Sequence, residues 1–346
     1  MISGKTTIRQ NELINRNRIR PTRVALIGPG KHAEEYLLPA LRLVKDVRLI
    51  CISSRSEQKA KDSAARWGAD DWTIDWRSVI NPQTCDAAIV AATPQAHAEV
   101  VAQALRCGVA IFAEKPPAPD TVSLRSLISA EGASRSPSFV GFNFVFAPTI
   151  KRFGDQCSKY GGPRLLKLRC VSNKPTTAIW GYTSLPQSIL LAVGIHALSI
   201  ALSYIPTLQY ESARVVYINE NLMAILITLK TSDGRIAEIE LGNYANRFIL
   251  ELEAITDQGT VIGLENLTEF EVYGSALSRP NGSIYDAKEV VRFSSGALLG
   301  SLDRAGYVSE LSSFTRSVRS GEPSEMPISR ALPAYVIIDN ILLDTM

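Results

Sequence analysis

The stretch TRVALIGPGKHA, residues 22–33, decides the fold class of this chain. A short apolar run ends in a Gly-Pro-Gly turn, and a helix is predicted from about His32. Gly28, Gly30 and Ala33 follow the spacing GxGxxA, which between a strand and a helix is typical of a dinucleotide-binding turn. Because the helix start offers free N–H groups to phosphates, we expect cofactor contacts from Gly28, Pro29, Gly30, Lys31 and His32.

Short, nearly all-apolar strands alternate with helices up to about residue 148. This alternation predicts a parallel sheet covered on both faces. Later strands follow one another with alternating polarity, interrupted by a helix near 189–204 and closed by helices near 306–319 and 331–344. The predicted fold is therefore α/β: a basic N-terminal arm (1–21), a Rossmann dinucleotide-binding domain (22–148), and an α+β domain (149–346) with an open, mostly antiparallel sheet for substrate binding and oligomerisation.

Length and charge narrow the class of protein. A chain of 346 residues, 46% hydrophobic and 21% charged, has the composition of a globular protein with two domains. A net charge of +3 does not favour a nucleic-acid or membrane partner. No secretory signal and no apolar run of about 18 residues stand out. The basic arm is either solvated or in contact with a partner chain or phosphate.

The five cysteines are scattered, without a CxxC pair or a metal-ligand spacing. This pattern favours reduced thiols in a cytoplasmic protein over a disulfide framework, and no metal site is expected.

The end of the second strand, ICISSRS, predicts which dinucleotide binds. An NAD site usually carries an acidic residue there for the ribose 2′-hydroxyl. Ser53, Ser54 and Arg55 stand in its place, and a guanidinium with two hydroxyls suits a 2′-phosphate. The sequence therefore favours NADP(H) over NAD(H). The alternative is that Arg55 merely begins the next helix in water.

Several signatures follow in one order: ALIGPGKHA, ISSRS, AATPQAHAEVVAQALRCGVAIFAEKPPA, VGFNFVFAP and ILLAVGIHALSIAL. Together they resemble the glucose–fructose oxidoreductase/inositol dehydrogenase (Gfo/Idh/MocA) family from about residue 22 to the end. The resemblance implies hydride transfer between a nicotinamide and a carbinol, carbonyl or imine, and a homo-oligomer built through the second sheet. The Glu-Lys-Pro at 114–116 is its most specific piece.

The resemblance also implies roles for individual residues. Lys115 matches the active-site lysine, Pro116 the proline beneath the nicotinamide, and Glu114 a residue near the nicotinamide ribose. Thr93 and Pro94 match a strand-end segment lining the dinucleotide, with His97 nearby. The alternative that this segment has no functional role stays open, because a Glu-Lys-Pro can simply be a solvated strand end.

The helix containing His196 departs from the family pattern GGxxxDxGxHxxD. Its two aspartates fall on Ala192 and Ser199, so no carboxylate fixes the histidine or raises its pKa. Either His196 is the second catalytic residue, lying over the nicotinamide to orient or protonate the substrate, or it is a core or pocket-wall residue. In the second case Lys115, Tyr182 or water supplies the proton.

The expected substrate pocket is poor in charge. Its members are Asn143, Phe144, Trp180, Tyr182, Ala192 and Ser199, although Trp180 and Tyr182 serve core packing equally well. A pocket with few polar anchors favours less polar ligands. We therefore expect an NADP(H)-dependent reductase acting on a carbonyl or imine in a relatively apolar small molecule or modified sugar. The alternatives are an oxidative sugar or polyol dehydrogenase, and a non-catalytic NADP-binding sensor or scaffold.

Overall fold

A six-stranded parallel sheet forms the first part of the computed structural model, which describes residues 20–273, 290–296 and 298–345. Its strand order is β3-β2-β1-β4-β5-β6, the order of a dinucleotide-binding fold. The strands are β1 (Thr22–Ile27), β2 (Val47–Ser53), β3 (Asp71–Thr73), β4 (Ala87–Val90), β5 (Ala110–Glu114) and β6 (Ser138–Gly141). The Rossmann prediction is confirmed. Most of the expected basic arm, residues 1–19, lies outside the described residues.

Helices cover both faces of this sheet. A π-helical turn (Ala33–Leu37) follows the glycine turn and continues as α1 (Leu38–Leu41), so Pro39 stands at the start of a new helical segment. The other helices are α2 (Glu57–Trp67), α3 (Pro94–Cys107) and α4 (Thr121–Ala133). Glycines at 68 and 108, both with positive φ, end α2 and α3.

The apolar segment PSFVGFNFVF, residues 137–146, is strand only in its first half. The strand ends at Gly141, and Asn143–Phe146 form a 3₁₀ turn. Phe142 N–H bonds back to the carbonyl of Val140, and Val145 N–H to that of Phe142. The chain therefore turns toward the second domain where the apolar pattern alone reads as more strand.

An eight-stranded sheet forms the second part, in the order β14-β13-β12-β11-β7-β10-β9-β8. Its members are β7 (Pro163–Val171), β8 (Gln209–Tyr217), β9 (Met223–Lys230), β10 (Ile236–Gly242), β11 (Ile249–Thr256), β12 (Val261–Glu265), β13 (Glu269–Tyr273) and β14 (Val290–Ser294). Only the β7–β10 pair is parallel among these pairs. This is the mostly antiparallel sheet that the sequence predicts.

Helices pack on one face of the second sheet. They include α6 (Leu185–Ile189), a π-turn (Leu190–Gly194) and α7 (Ile195–Tyr204), which form one continuous rod, and α10 (Leu332–Thr345). The remaining helices of this part are α5 (Pro148–Lys159), α8 (Ser301–Arg304) and α9 (Tyr307–Ser320). Alternate residues of β9 and β11 are buried beneath the helices, and the described residues leave the opposite face of the sheet uncovered.

Helix α9 returns to the first domain. It contacts β1, α1 and the 3₁₀ turn, and its Phe314 packs against the rings of Phe112 and Phe139 at 5.7 and 5.9 Å. Residues 307–320 lie within the predicted second domain (149–346), yet their buried side chains complete the core of the Rossmann sheet.

The rod Leu185–Tyr204 corrects one sequence expectation. By length and mean hydropathy (1.8) it is apolar enough to cross a membrane, although no such run was expected. Its most apolar window is 78% buried inside the protein, as in the core helix of a globular fold, so it is weak evidence for a membrane span. All five cysteines are free thiols.

Candidate active site

The glycine turn lies at the carboxyl end of β1, between β2 and β4. Gly28 has φ +86°, and a Cβ there would stand 2.7 Å from the carbonyl oxygen of Ala91. Its N–H donates to the carbonyl of Ser53 at 2.9 Å. Gly30 leaves open space above the turn, with Ala91 O at 4.0 Å from a built Cβ. These two positions therefore fit the tight turn and close approach that a pyrophosphate needs.

Pro29 is buried beneath the turn, whereas Lys31 is exposed and ion-paired with Glu35 at 3.7 Å. Lys31 thus stands in solvent beside the helix start, where an anion would lie.

The end of β2 presents the residues expected at a 2′-phosphate. Ser53 is buried and bonds the glycine turn through its backbone, and the Ser54 hydroxyl accepts from the Ser56 N–H at 3.3 Å. Arg55 is exposed and makes no ion pair with a carboxylate within the described ranges. The Arg55 guanidinium is therefore free to bind an anion at this edge of the sheet. Ser53 contributes only its backbone carbonyl, which accepts a hydrogen bond from the glycine turn.

The segment after β4 is fixed by a buried histidine. Thr93 caps α3, Pro94 is its first residue, and His97 is 1% exposed. His97 Nε2 accepts from the Ala92 N–H at 2.8 Å, so Nδ1 carries the proton and donates to the Pro116 carbonyl at 2.9 Å. Burial lowers the pKa of His97. Both ring nitrogens are thus engaged in tying two strand ends together, and His97 supports the site without facing into it.

Glu114 and Lys115 end β5 beside the glycine turn, ahead of a cis peptide bond to Pro116. Glu114 Oε1 lies 3.3 Å from His32 Nε2, a close electrostatic contact whose geometry makes no hydrogen bond. Burial raises the pKa of Glu114, but the charges of His32 and Lys115 outweigh it and hold that pKa below its ordinary value. Glu114 is therefore a buried carboxylate.

The Lys115 ammonium reaches across to the second domain. Its Nζ donates to the carbonyl of Ala192, in the π-turn, at 3.2 Å. Burial lowers the pKa of Lys115, and the charge of Glu114 opposes that effect. Main-chain oxygen thus holds this lysine at the position where the family pattern has an aspartate.

His196 lies about one turn beyond Ala192, with 8% of its surface exposed. Its Nδ1 has no hydrogen-bond partner, and its ring centroid lies 4.7 Å from that of Phe144. Burial, with the positive charge of Lys115, lowers the pKa of His196 well below its ordinary value. It is a neutral imidazole against an aromatic wall that Phe248 extends, 5.5 Å from Phe144.

Four expected pocket residues are engaged elsewhere. Asn143 Nδ2 donates to the Ala305 carbonyl at 2.8 Å, the Ser199 hydroxyl to the His196 carbonyl at 2.8 Å, and the Tyr182 hydroxyl to the Pro119 carbonyl at 2.8 Å. Trp180 packs edge-on to Tyr182. The structure thus brings Lys115, Ala192, His196 and Phe144 together. The polar side-chain groups of Asn143, Ser199 and Tyr182 bond backbone carbonyls instead of facing this cluster.

Three titratable residues near the site were not predicted from the sequence. Tyr36 and Tyr307 stack at 5.3 Å and flank His32 at 5.2 and 5.7 Å. Glu310, on α9, is fully buried with both carboxyl oxygens unpartnered. No group of three or more potential metal ligands occurs within the described ranges.

Residues 22–142 match the family model GFO_IDH_MocA, described as an oxidoreductase family with an NAD-binding Rossmann fold. The chain is 23% identical to the myo-inositol 2-dehydrogenase of Thermotoga maritima, over 87% of this chain and 89% of that protein.

Solved structures extend the likeness to both domains. A dehydrogenase from Chromobacterium violaceum, 25% identical, superposes with a TM-score of 0.87 over 94% of this chain and 96% of that one. KijD10, a 3-ketoreductase from Actinomadura kijaniata solved with NADP and TDP-benzene, superposes with a TM-score of 0.74 at 19% identity, covering 94% of this chain and 98% of that one. At that identity the likeness shows the fold alone.

Proposed function

Because this chain belongs to the Gfo/Idh/MocA family of NAD(P)-dependent oxidoreductases, we propose that it is an NADP(H)-dependent reductase of a carbonyl or imine. The expected substrate is a relatively apolar small molecule or a modified sugar. When bound, the nicotinamide supplies the hydride, while the chain supplies binding, orientation and a proton.

The observation that carries the proposal is the Lys115 ammonium beside the neutral His196. Reduction of a carbonyl needs an acid, and Lys115 has protons to give. Oxidation needs a base, and His196 has no carboxylate partner to strengthen it as one. In this proposal Lys115 polarises and protonates the acceptor atom, and His196 orients it.

Two further features support the proposed cofactor preference and the proposed substrate class. The unpaired Arg55 with Ser53 and Ser54 at the end of β2 favours a 2′-phosphate over a bare ribose. The wall of Phe144 and Phe248 over His196 favours a substrate with an apolar face.

The test starts with cofactor binding. NADPH should raise the melting temperature far more than NADH, because a ligand at about 100 times its dissociation constant adds about 2.7 kcal/mol. Arg55→Ser should weaken NADPH binding roughly tenfold or more, which is the loss of one charge-assisted bond of about 1.5–3 kcal/mol, and leave NADH unchanged. Arg48→Ser is the matched control, since Arg48 is exposed at the opposite end of the same strand and pairs with Asp70 at 2.8 Å.

Turnover completes this experiment. Carbonyls and imines with an apolar flank should oxidise NADPH, and Lys115→Ala should abolish that turnover while NADPH still raises the melting temperature. Rapid oxidation of inositol or glucose without reduction of any such carbonyl would favour the polyol dehydrogenase instead. Cofactor binding without turnover of either class would favour a sensor.

A further inference from the structure

Three aromatic rings from three separate parts of the chain meet at the candidate active site. Phe144 lies in the 3₁₀ turn after β6, His196 is the second residue of α7, and Phe248 lies in the loop between β10 and β11. The ring centroids of Phe144 and His196 are 4.7 Å apart, and those of Phe144 and Phe248 are 5.5 Å apart. Because both separations are those of rings in contact, the three side chains form one continuous surface, which we call the aromatic wall.

One end of the aromatic wall adjoins the Lys115 ammonium. Lys115 Nζ donates to the Ala192 carbonyl at 3.2 Å, and His196 lies about one helical turn beyond Ala192. An ammonium has three N–H donors, and within the described residues Ala192 O is the only hydrogen-bond acceptor of Lys115 Nζ. Two N–H donors therefore remain for a substrate oxygen or nitrogen at this end of the wall.

The other end of the aromatic wall opens to solvent. His196 is 8% exposed, Phe144 is half-buried, and Phe248 is 43% exposed. Within the described part of the chain, Phe248 belongs to neither hydrophobic core and makes its one ring contact with Phe144. Single exposed apolar residues are common, but one that continues a wall out of a candidate active site offers a surface to a ligand.

Buried asparagines fix the two loops that carry the phenylalanines. In the first loop, Asn143 Nδ2 donates to the Ala305 carbonyl at 2.8 Å. In the second loop, Asn243 is 1% exposed, and its Nδ2 donates to the carbonyls of Pro175 and Asn221 at 2.6 and 2.7 Å. The aromatic wall is therefore in place before a ligand arrives, which lowers the entropy cost of binding.

Few polar groups accompany the aromatic wall. The hydroxyl of Ser199 donates to the carbonyl of His196, and that of Tyr182 to the carbonyl of Pro119, both at 2.8 Å. A ligand rich in hydroxyls would give up hydrogen bonds to water here without replacing them. A flat unsaturated ring loses no such bonds, and it gains from edge-to-face or offset contact with the phenylalanine rings.

We propose that the aromatic wall is a subsite for a planar unsaturated ring and that the substrate is an aryl ketone or aryl imine, an inference that rests on the function proposed above. The carbonyl or imine group lies at Lys115, and the ring extends along Phe144 toward Phe248. Phe144 and Phe248 are specificity-determining residues in this arrangement, because they select aromatic rings over saturated rings of the same size. They take no part in the transfer of hydride or proton.

The deciding experiment compares two ligands that are not reduced, benzamide and cyclohexanecarboxamide. They carry the same amide on a planar and on a saturated ring, and their dissociation constants are measured by NMR titration in the presence of NADPH. The parent should bind benzamide about tenfold more tightly, as expected from aromatic contacts with two rings. Phe248→Leu should lower this ratio roughly threefold, because one aromatic contact is lost while an apolar side chain remains. Phe144→Leu should lower it similarly.

Phe248→Tyr is the matched control, since it keeps a ring at the same position and should keep the ratio of the parent. Phe248 is 43% exposed, so neither substitution there disturbs a buried core. A parent that binds the two amides equally, or binds neither, would overturn the inference. So would a ratio that is the same in the parent and in both leucine variants.

Turnover separates this inference from the proposed function. With NADPH the parent should reduce acetophenone and cyclohexyl methyl ketone, and Phe248→Leu should lower kcat/KM roughly threefold for acetophenone alone. Comparing each ketone between parent and variant removes the difference in their intrinsic reactivity. Equal losses for both ketones would keep the reductase and overturn the aromatic selection. If the parent reduces neither ketone, the proposed function fails, and the amide titrations still decide whether the wall binds a planar ring.

Discussion

Lys115 and His196 lie in the same site, but one is a charged ammonium and the other a neutral imidazole. Burial lowers the pKa of Lys115, while the negative charge of Glu114 opposes that effect and the Ala192 carbonyl accepts a hydrogen bond from its Nζ. His196 is buried against Phe144 with Nδ1 unpartnered, so its neutral form is favoured. The site therefore offers one proton donor and one neutral, orienting imidazole.

The charge state of His196 predicts a dependence of stability on pH. The unfolded chain carries a histidine with a pKa of about 6.5, whereas burial lowers the pKa of His196 in the folded protein. Its contribution is therefore fully present above pH 6.5 and is lost as the pH falls, because only the unfolded state takes up the proton. Between pH 7.5 and 5.5 the parent should lose about 1 kcal/mol more unfolding free energy than His196→Gln.

Urea unfolding of both proteins at the two pH values checks this. Taking the difference between the proteins removes the titration of His97, which is buried and whose pKa burial also lowers. Equal losses in parent and variant would mean that folded His196 binds a proton as readily as the unfolded chain does.

At the residue scale, sequence reasoning works where a motif fixes the backbone. The turn from Gly28 to Gly30 and the Glu114–Lys115 strand end lie together because parallel strands bring their carboxyl ends to one edge. Glu310 could not be found this way. The segment YVSELSSF reads as an amphipathic helix with a solvated acid, and only the packing of α9 against the first domain buries that acid.

Helix α9 packs beside the candidate site, although it lies more than 150 residues further along the chain than the strands that it contacts. It covers β1 and α1, packs Tyr307 against His32, and carries the buried Glu310. Its start is fixed by the contact of Gly306 with the Asn143 carbonyl, and Asn143 in turn donates to Ala305. This reciprocal contact couples the 3₁₀ turn after β6 to the helix.

Glycine substitutions at the two ends of α9 separate backbone strain from close contact. Gly306 (φ +88°) and Gly321 (φ +71°) share the left-handed conformation, but a Cβ at Gly321 meets nothing within 4 Å. Gly321→Ala should cost about 1 kcal/mol. Gly306→Ala adds a backbone clash at 2.0 Å and should cost at least about 2 kcal/mol more. Denaturant midpoints of both variants give the comparison, and equal costs would show that the Gly306 contact is easily relieved.

At the element scale, the spacing of apolar residues predicts most strands and long helices, but it does not predict where the chain turns within an apolar segment. Two helices, α4 (Thr121–Ala133) and α5 (Pro148–Lys159), were not predicted from the sequence. Periodicity near residue 140 favours strand, but the chain turns there because α9 and the segment around Met326 pack against it, with Val140 N–H bonding the Met326 carbonyl. Such contacts join residues more than 150 positions apart and leave no local signal.

The whole molecule presents one long surface that the described helices leave open. On the exposed face of the second sheet, Lys167 pairs with Glu253 at 3.0 Å and Arg169 with Glu240 and Glu251 at 3.5 Å. These charges border a concavity of about 820 Å³ that Leu226 also lines. A broad sheet face with apolar side chains among paired charges is suited to a second copy of itself.

We therefore propose that the protein self-associates through this face, and the proposal predicts a specific loss of the assembly. Leu226, 45% exposed on β9, lies on the face, whereas Leu43, 56% exposed, lies on the first domain. Leu226→Arg buries an unpaired charge in the interface and should weaken association at least about tenfold, that is by about 1.4 kcal/mol. Leu43→Arg should leave association unchanged. Sedimentation equilibrium of the three proteins measures both effects, and a parent that stays monomeric at high concentration would rule the interface out.

Because the Lys115 site lies at the edge of the other sheet, association and NADPH binding should respond to separate substitutions, and Leu226→Arg should keep the NADPH-induced rise in melting temperature.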